Sequence, residues 1–194
     1  MYPACGTTAV VLERQREFSM PRSREITVVV RTVMFIGTIL LSWCVMIETH
    51  EIGHIVGGWL CGASLRDWQL WPWQLPYSFF DPDPKPLITL WAGPVLGSIV
   101  PLAIALVFRN EWIWLIANFC LLANGLYLAL AWLAGGSSLD TQRLLAEGAW
   151  PISIVGFCLV TILPAYIGIR ANIIYLFSQS IPGMSNDRVE ESQV

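Results

Sequence analysis

Four apolar runs, at about residues 26–47, 87–108, 112–134 and 150–169, leave this chain few folds to choose from. A hydrocarbon core of about 30 Å takes roughly 20 helical residues to cross. Inside it every backbone N–H and C=O must find a partner within the protein, which points these runs to helices. Composition agrees. Hydrophobic residues make up 55% and charged residues 13% of the chain, against about 25% charged in ordinary soluble domains. A soluble globule and a disordered chain are both poor fits. The expected fold class is therefore an all-α polytopic membrane protein with about four transmembrane helices. Ten Trp suit anchoring at a membrane interface, and the lipid bilayer is the first expected partner. A net charge of −3 provides no basic excess to meet a phosphate backbone, so nucleic acid is not expected as a partner.

The organisation is read from the breaks between runs. Residues 1–25 form an amino-terminal arm that carries Arg14, Arg16, Arg22 and Arg24. Arm and first run together resemble the start of a secretory signal. The run is too long for one and no clean small-residue cleavage site follows, so it reads as a retained anchor. The arm is expected to be poorly ordered or to lie on the surface. Residues 26–177 form the membrane domain and 178–194 a polar tail. The first run continues through Glu48, His50, Glu51 and His54 to Cys61 without a turn signal, which predicts one long helix with a polar group toward its end. Arg31, near its start, can snorkel to the interface. Residues 62–86 hold Trp68, Trp71, Trp73, Tyr77, Phe79 and Phe80 among five prolines. This is too broken for a spanning helix, and it is expected to lie in the interface or over the bundle mouth, with Ser78 accessible. The fourth span is expected to kink at Pro164 and to continue to Phe177 along the surface. Cys44, Cys120 and Cys158 sit in apolar runs and read as small buried hydrophobes. Arginines of the arm, with Arg109, Arg170 and Arg188, place both termini in the cytoplasm by the positive-inside rule.

The chemistry concentrates in His50-Glu51-Ile52-Gly53-His54. Residues four apart share a helix face, so His50 and His54 can turn ring nitrogens to one metal ion. Glu51 stands on its flank, where a carboxylate can take a proton from water that the metal has acidified. These are the only two His in the chain, and imidazole and carboxylate near hydrocarbon are costly without a role. A polar knot that joins helices is the plainer alternative. A third ligand is needed, and Asp140 is the first candidate, because counting spans places it on the same side of the membrane as the His pair. Glu147 is the second candidate, and Asp81 and Asp83 stand in a Pro-rich loop. Glu48 falls on another helix face. The plainer alternative for Asp140 is a helix N-cap before Arg143-Leu144-Leu145. Arg143 can hold that carboxylate, stabilise an oxyanion, or simply sit at the interface. Asn118 and Asn124 can bond across helices or position a substrate strand. Trp68, Trp71 and Trp73 read as an aromatic belt or a lid. Gly57-Gly58 and Gly93-Pro94 read as close-packing positions.

Three stretches together resemble the site-2 protease family of intramembrane zinc metalloproteases. They are Glu48-Thr49-His50-Glu51-Ile52-Gly53-His54, Ala92-Gly93-Pro94, and Leu139-Asp140 followed by Gln142-Arg143-Leu144-Leu145. Gly97 stands where the family often has Asn, and Thr141 where Gly usually follows the aspartate. The resemblance implies a three-helix core, zinc held by His50, His54 and Asp140, and Glu51 as general base. The implied activity is hydrolysis of peptide bonds in membrane-embedded substrates, by a zinc-dependent metalloendopeptidase. The alternative is a protease-like structural subunit of a membrane complex, without catalysis. A zinc enzyme acting on a lipid or small molecule is a further one. Expected partners are a transmembrane protein substrate or membrane-complex subunits. The expected location is an inner membrane of a prokaryotic cell.

Overall fold

Each apolar run forms a helix in the computed structural model, which describes residues 7–178, with side chains described from Ile26 onward. In chain order the elements are α1 (Thr7–Leu60), β1 (Leu65–Gln69), β2 (Tyr77–Phe80), α2 (Pro86–Phe108), α3 (Glu111–Ala134), α4 (Asp140–Ala146) and α5 (Pro151–Ser178). Four of the described helices are long and apolar enough to cross a membrane: Ile26–Leu60 within α1, then α2, α3 and α5. Their exposed residues include Ile99, Leu106, Leu130, Leu133, Val160 and Leu163. A soluble protein would not carry such faces on so many helices, whereas lipid accepts them.

Local sequence explains where helices stop. Arg109 closes α2 in the left-handed region (φ 49°), and Asn110 opens α3 by accepting from the Trp112 amide through its side chain. That cap satisfies an amide at the helix start that has no intrahelical partner. Gly135, with φ 69°, ends α3. Pro94 and Pro101 lie inside α2 and Pro164 inside α5 without ending either helix.

Several expectations need correction. The chain is not purely helical. Residues 62–86 contain an antiparallel hairpin that pairs Trp68 with Ser78 and Gln69 with Tyr77, with an irregularity between Leu65 and Asp67. Aromatic and β-branched residues favour such a pleated surface, and Pro72 and Pro76 fall in the connection, where no ladder amide is needed. Residues 7–25 of the arm are helical backbone, within α1. The remainder of that arm, residues 1–6, and all of the tail beyond Ser178 lie outside the described residues. The last helix is continuous from Pro151 to Ser178, through the expected continuation to Phe177. Asp140 is the first residue of α4, and Leu139 takes the cap position.

The chain divides into two units. Within the first, residues 1–36 and 174–194, the Arg31 guanidinium donates to the Leu176 carbonyl. Phe35 and Phe177 meet edge to face at 5.9 Å between ring centroids. The second, residues 37–173, holds the candidate site. Leu90, Leu128, Leu144 and Ile154 form one buried cluster there, and Met46, Ile47 and Cys120 another. The four cysteines described are free thiols, with Cys120 buried. Asn118 donates to Asn172, which donates to Glu111, so a polar chain ties α3 to α5.

α1 meets α2 at glycines. A Cβ on Gly53 would lie 2.6 Å from the Ala92 carbonyl oxygen, and one on Gly93 would lie 2.3 Å from the His54 ring. Small residues let membrane helices approach this closely, and here the approach is what brings α2 backbone to His54.

Candidate metal centre

His50, Glu51 and His54 sit about 15 Å or less from the end of α1, at 1.5 Å per residue. All three are buried, with 5%, 6% and 5% of their surface exposed. Asp140, at the start of α4, is also buried. Its Oδ2 lies 2.9 Å from Nε2 of His50 and 3.2 Å from Nε2 of His54, and the two Nε2 atoms are 3.1 Å apart. Three candidate ligand atoms thus form a nearly equilateral triangle.

The outer nitrogens decide what that triangle is. His54 Nδ1 is 2.8 Å from the Thr89 carbonyl oxygen, which can only accept, so Nδ1 carries the proton. His50 Nδ1 is 2.7 Å from Asn124 Oδ1, while the Asn124 amide nitrogen donates to the Cys120 carbonyl. That second bond orients the amide, so His50 Nδ1 also donates. Each neutral ring then turns the lone pair of Nε2 inward, toward the other ring and toward a carboxylate oxygen. With both rings neutral, three electron-pair donors cannot satisfy one another at this spacing. A proton on one Nε2 donated to Asp140, or a cation between the three atoms, can. Ligand atoms of a tetrahedral ion with bonds of about 2.0–2.2 Å lie roughly 3.3 Å or a little more apart, so the triangle fits such an ion within a few tenths of an ångström. Outward N–H bonds to a carbonyl and an amide oxygen are how metal-ligating histidines are commonly held.

Burial pushes the Asp140 carboxyl up, but hydrogen bonds from the His50 ring and then the His54 ring, when protonated on Nε2, outweigh it and hold the group well below the usual carboxylate range. Its carboxylate form is the one a metal needs. Its place is set by its neighbour: the Thr141 hydroxyl donates to the Leu128 carbonyl at 2.7 Å, pinning α4 to α3. Thr141 is itself fully buried.

Glu51 offers a second way to complete the histidine pair, since one of its carboxylate oxygens lies within 4.8 Å of the histidine ligand atoms. The Asp140 set is the tighter one. Glu51 is engaged elsewhere, accepting from the Ser78 hydroxyl through Oε2 at 2.6 Å. A cavity of about 410 Å³ opens beside His50 and Glu51, walled by Trp43, Met46, Ile47 and Tyr127 and covered by the hairpin connection from Pro72 to Pro76. Tyr127 meets His50 edge to face at 5.4 Å.

The remaining candidates fall away from this centre. Glu48 and Glu147 are exposed, as is Asp81, and Asp83 caps the Lys85 amide. Arg143 is exposed and does not bond Asp140. Asn118 bonds across helices, away from the histidines. Trp68, Trp71 and Trp73 are exposed, and only Trp73 of the three lines the cavity. Ser78, read as accessible, is buried at 8%. Sequence reasoning missed the partners of the site: Ser78, the Thr89 carbonyl, the particular role of Asn124, and Thr141. Gly97 explains part of this, since a Cβ there would lie 3.0 Å from the Asn124 amide and 3.2 Å from His50 Cα. Its missing side chain leaves room for an amide from α3.

Comparison with protein-family models, with curated proteins and with solved structures finds no match.

Proposed function

We propose that this chain is an intramembrane zinc metalloprotease, a minimal and divergent relative of the site-2 proteases, with a core made by α1, α2, α3 and α4. One observation carries the reading. Two histidines with their Nδ1 protons directed outward and one carboxylate converge three ligand atoms beside a second, separate carboxylate, Glu51, at the edge of a cavity.

His50, His54 and Asp140 would hold the zinc, with Asn124 and the Thr89 carbonyl keeping both rings oriented. Zinc supplies Lewis acidity there, acidifying water and polarising a carbonyl. Glu51 is not needed as a ligand, and its carboxylate takes the proton from the attacking water and returns it to the leaving amine. Trp43, Met46, Ile47 and Tyr127 give the cavity apolar walls that suit side chains of a membrane-spanning segment. Such a segment must unwind locally before cleavage, because a helical peptide bond is shielded by its own packing.

The test pairs two substitutions. Glu51→Gln keeps the size and removes the proton acceptor, so zinc content stays while cleavage of single-span proteins in liposomes falls about 10²- to 10⁴-fold. Asp140→Asn weakens zinc binding itself. Unchanged cleavage by Glu51→Gln would sink the general-base assignment. Absence of cleavage by the zinc-loaded wild type would favour a non-catalytic subunit.

A further inference from the structure

The hairpin between α1 and α2 reaches the reacting carboxylate. Side chains two apart on a strand share a face, and the inner face of β2 carries Ser78 and Phe80. Phe80 lies over Gly58, where a Cβ would come within 2.6 Å of its ring. Ser78 meets Glu51. Residues 51 and 58 are seven apart on α1 and so lie on one helix face. The strand therefore docks along that face by two contacts, one apolar and one polar. Tyr77 and Phe79, between and beside them, point outward and are exposed.

We infer that Ser78 is a positioning residue for Glu51: its hydroxyl, donating to Oε2, fixes the carboxylate so that Oε1 faces the water it deprotonates. The bond is 2.6 Å long and both residues are more than nine-tenths buried. It is the one hydrogen bond to the Glu51 side chain among the described residues, so a single contact determines how this carboxylate is turned. Oxygens bonded to a serine hydroxyl are occupied, and the unbonded oxygen is the better placed acceptor. The hairpin thereby does more than cover the cavity. The same hairpin carries the connection Pro72–Pro76, which the Trp43 indole holds through the Pro72 carbonyl at 3.4 Å. This inference rests on the general-base reading of Glu51, and the experiment separates the two.

Purified, zinc-loaded full-length protein in liposomes is compared with Ser78→Ala, Ser78→Thr and Glu51→Gln. The probe is a fluorescently labelled, Leu-rich single-span peptide with a central Gly-Pro break. A hydrogen bond to a charged group, lost from the transition state, corresponds to about a tenfold to hundredfold change in rate. Ser78→Ala is therefore expected to lower kcat by that factor with KM within about twofold and zinc content unchanged. Ser78→Thr, which keeps the hydroxyl, restores most of the rate. Infrared difference spectra against wild type supply a readout independent of turnover: Ser78→Ala shifts a carboxylate stretch, and the same substitution made in Glu51→Gln does not. Wild-type kcat in Ser78→Ala, or no carboxylate shift, overturns the inference while leaving the base reading intact if Glu51→Gln is inactive. Full cleavage by Glu51→Gln overturns both, as does a wild type that leaves the probe uncut.

Discussion

At the scale of single residues, the proposed site depends on groups that would not themselves touch the metal. Asn124 holds the His50 proton on Nδ1, and Asn124→Leu removes that acceptor while filling similar space. Partners of metal ligands typically contribute 10- to 100-fold in metal affinity. Competition with a zinc chelator is expected to show a loss of that size, with insertion into the membrane unchanged; wild-type affinity would remove Asn124 from the account. Gly93 makes a steric prediction. Its Cβ in Gly93→Ala would meet the His54 ring at 2.3 Å from backbone that cannot easily give. Overpacking of this kind costs about 1–3 kcal/mol, and the ring must move to relieve it. Zinc content measured on the purified variant should drop sharply, whereas Gly37→Ala, where a Cβ meets nothing within 4 Å, should behave as wild type.

Among the elements, α4 is the short one that matters most to the site. Its seven residues could not hold a helix alone. Thr141 anchors it through the Leu128 carbonyl, and Gln142 reaches the Trp132 carbonyl at 3.2 Å. Thr141→Val keeps the shape and loses the buried hydrogen bond, a change of about 1 kcal/mol. The expected outcome is a zinc affinity lowered by several-fold with the spans intact, read by the same chelator titration; an unaltered affinity would show that Asp140 is placed without this anchor. The elements also show what could be read in advance. The His pair and Glu51 were legible because helical spacing is local, and Asp140 because counting spans puts chain segments on sides. The partners of these residues were not legible. Thr89 contributes only a backbone carbonyl, which leaves no mark in the sequence. Asn124 and Ser78 reach α1 from 74 and 27 residues away along the chain, so no local period links them. The hairpin was hidden by its prolines, which argue against strands when their position in the connection is unknown.

For the whole molecule, four spans require the hairpin and the α3–α4 connection to lie on one side of the membrane and the α2–α3 connection on the other. Arginines of the first residues favour cytoplasmic termini, which would turn the hairpin outward. Ser78 is unsuited to report this because it is buried. Ser138, which is exposed, serves better. In a background whose native cysteines are replaced, Ser138→Cys should react with a membrane-impermeant maleimide in intact cells; reaction only after permeabilisation would invert the topology. Neither outcome touches the chemistry, because both orientations keep the same side chains together. Zinc-edge X-ray absorption on the purified, zinc-loaded protein tests most directly whether His50, His54 and Asp140 hold zinc beside Glu51. The expected result is stoichiometric zinc surrounded by nitrogen and oxygen atoms at about 2.0–2.2 Å, with imidazole scattering and no sulfur shell near 2.3 Å, and loss of that signal in His54→Ala. A protein that takes up no zinc, or a signal that survives His54→Ala unchanged, would contradict it.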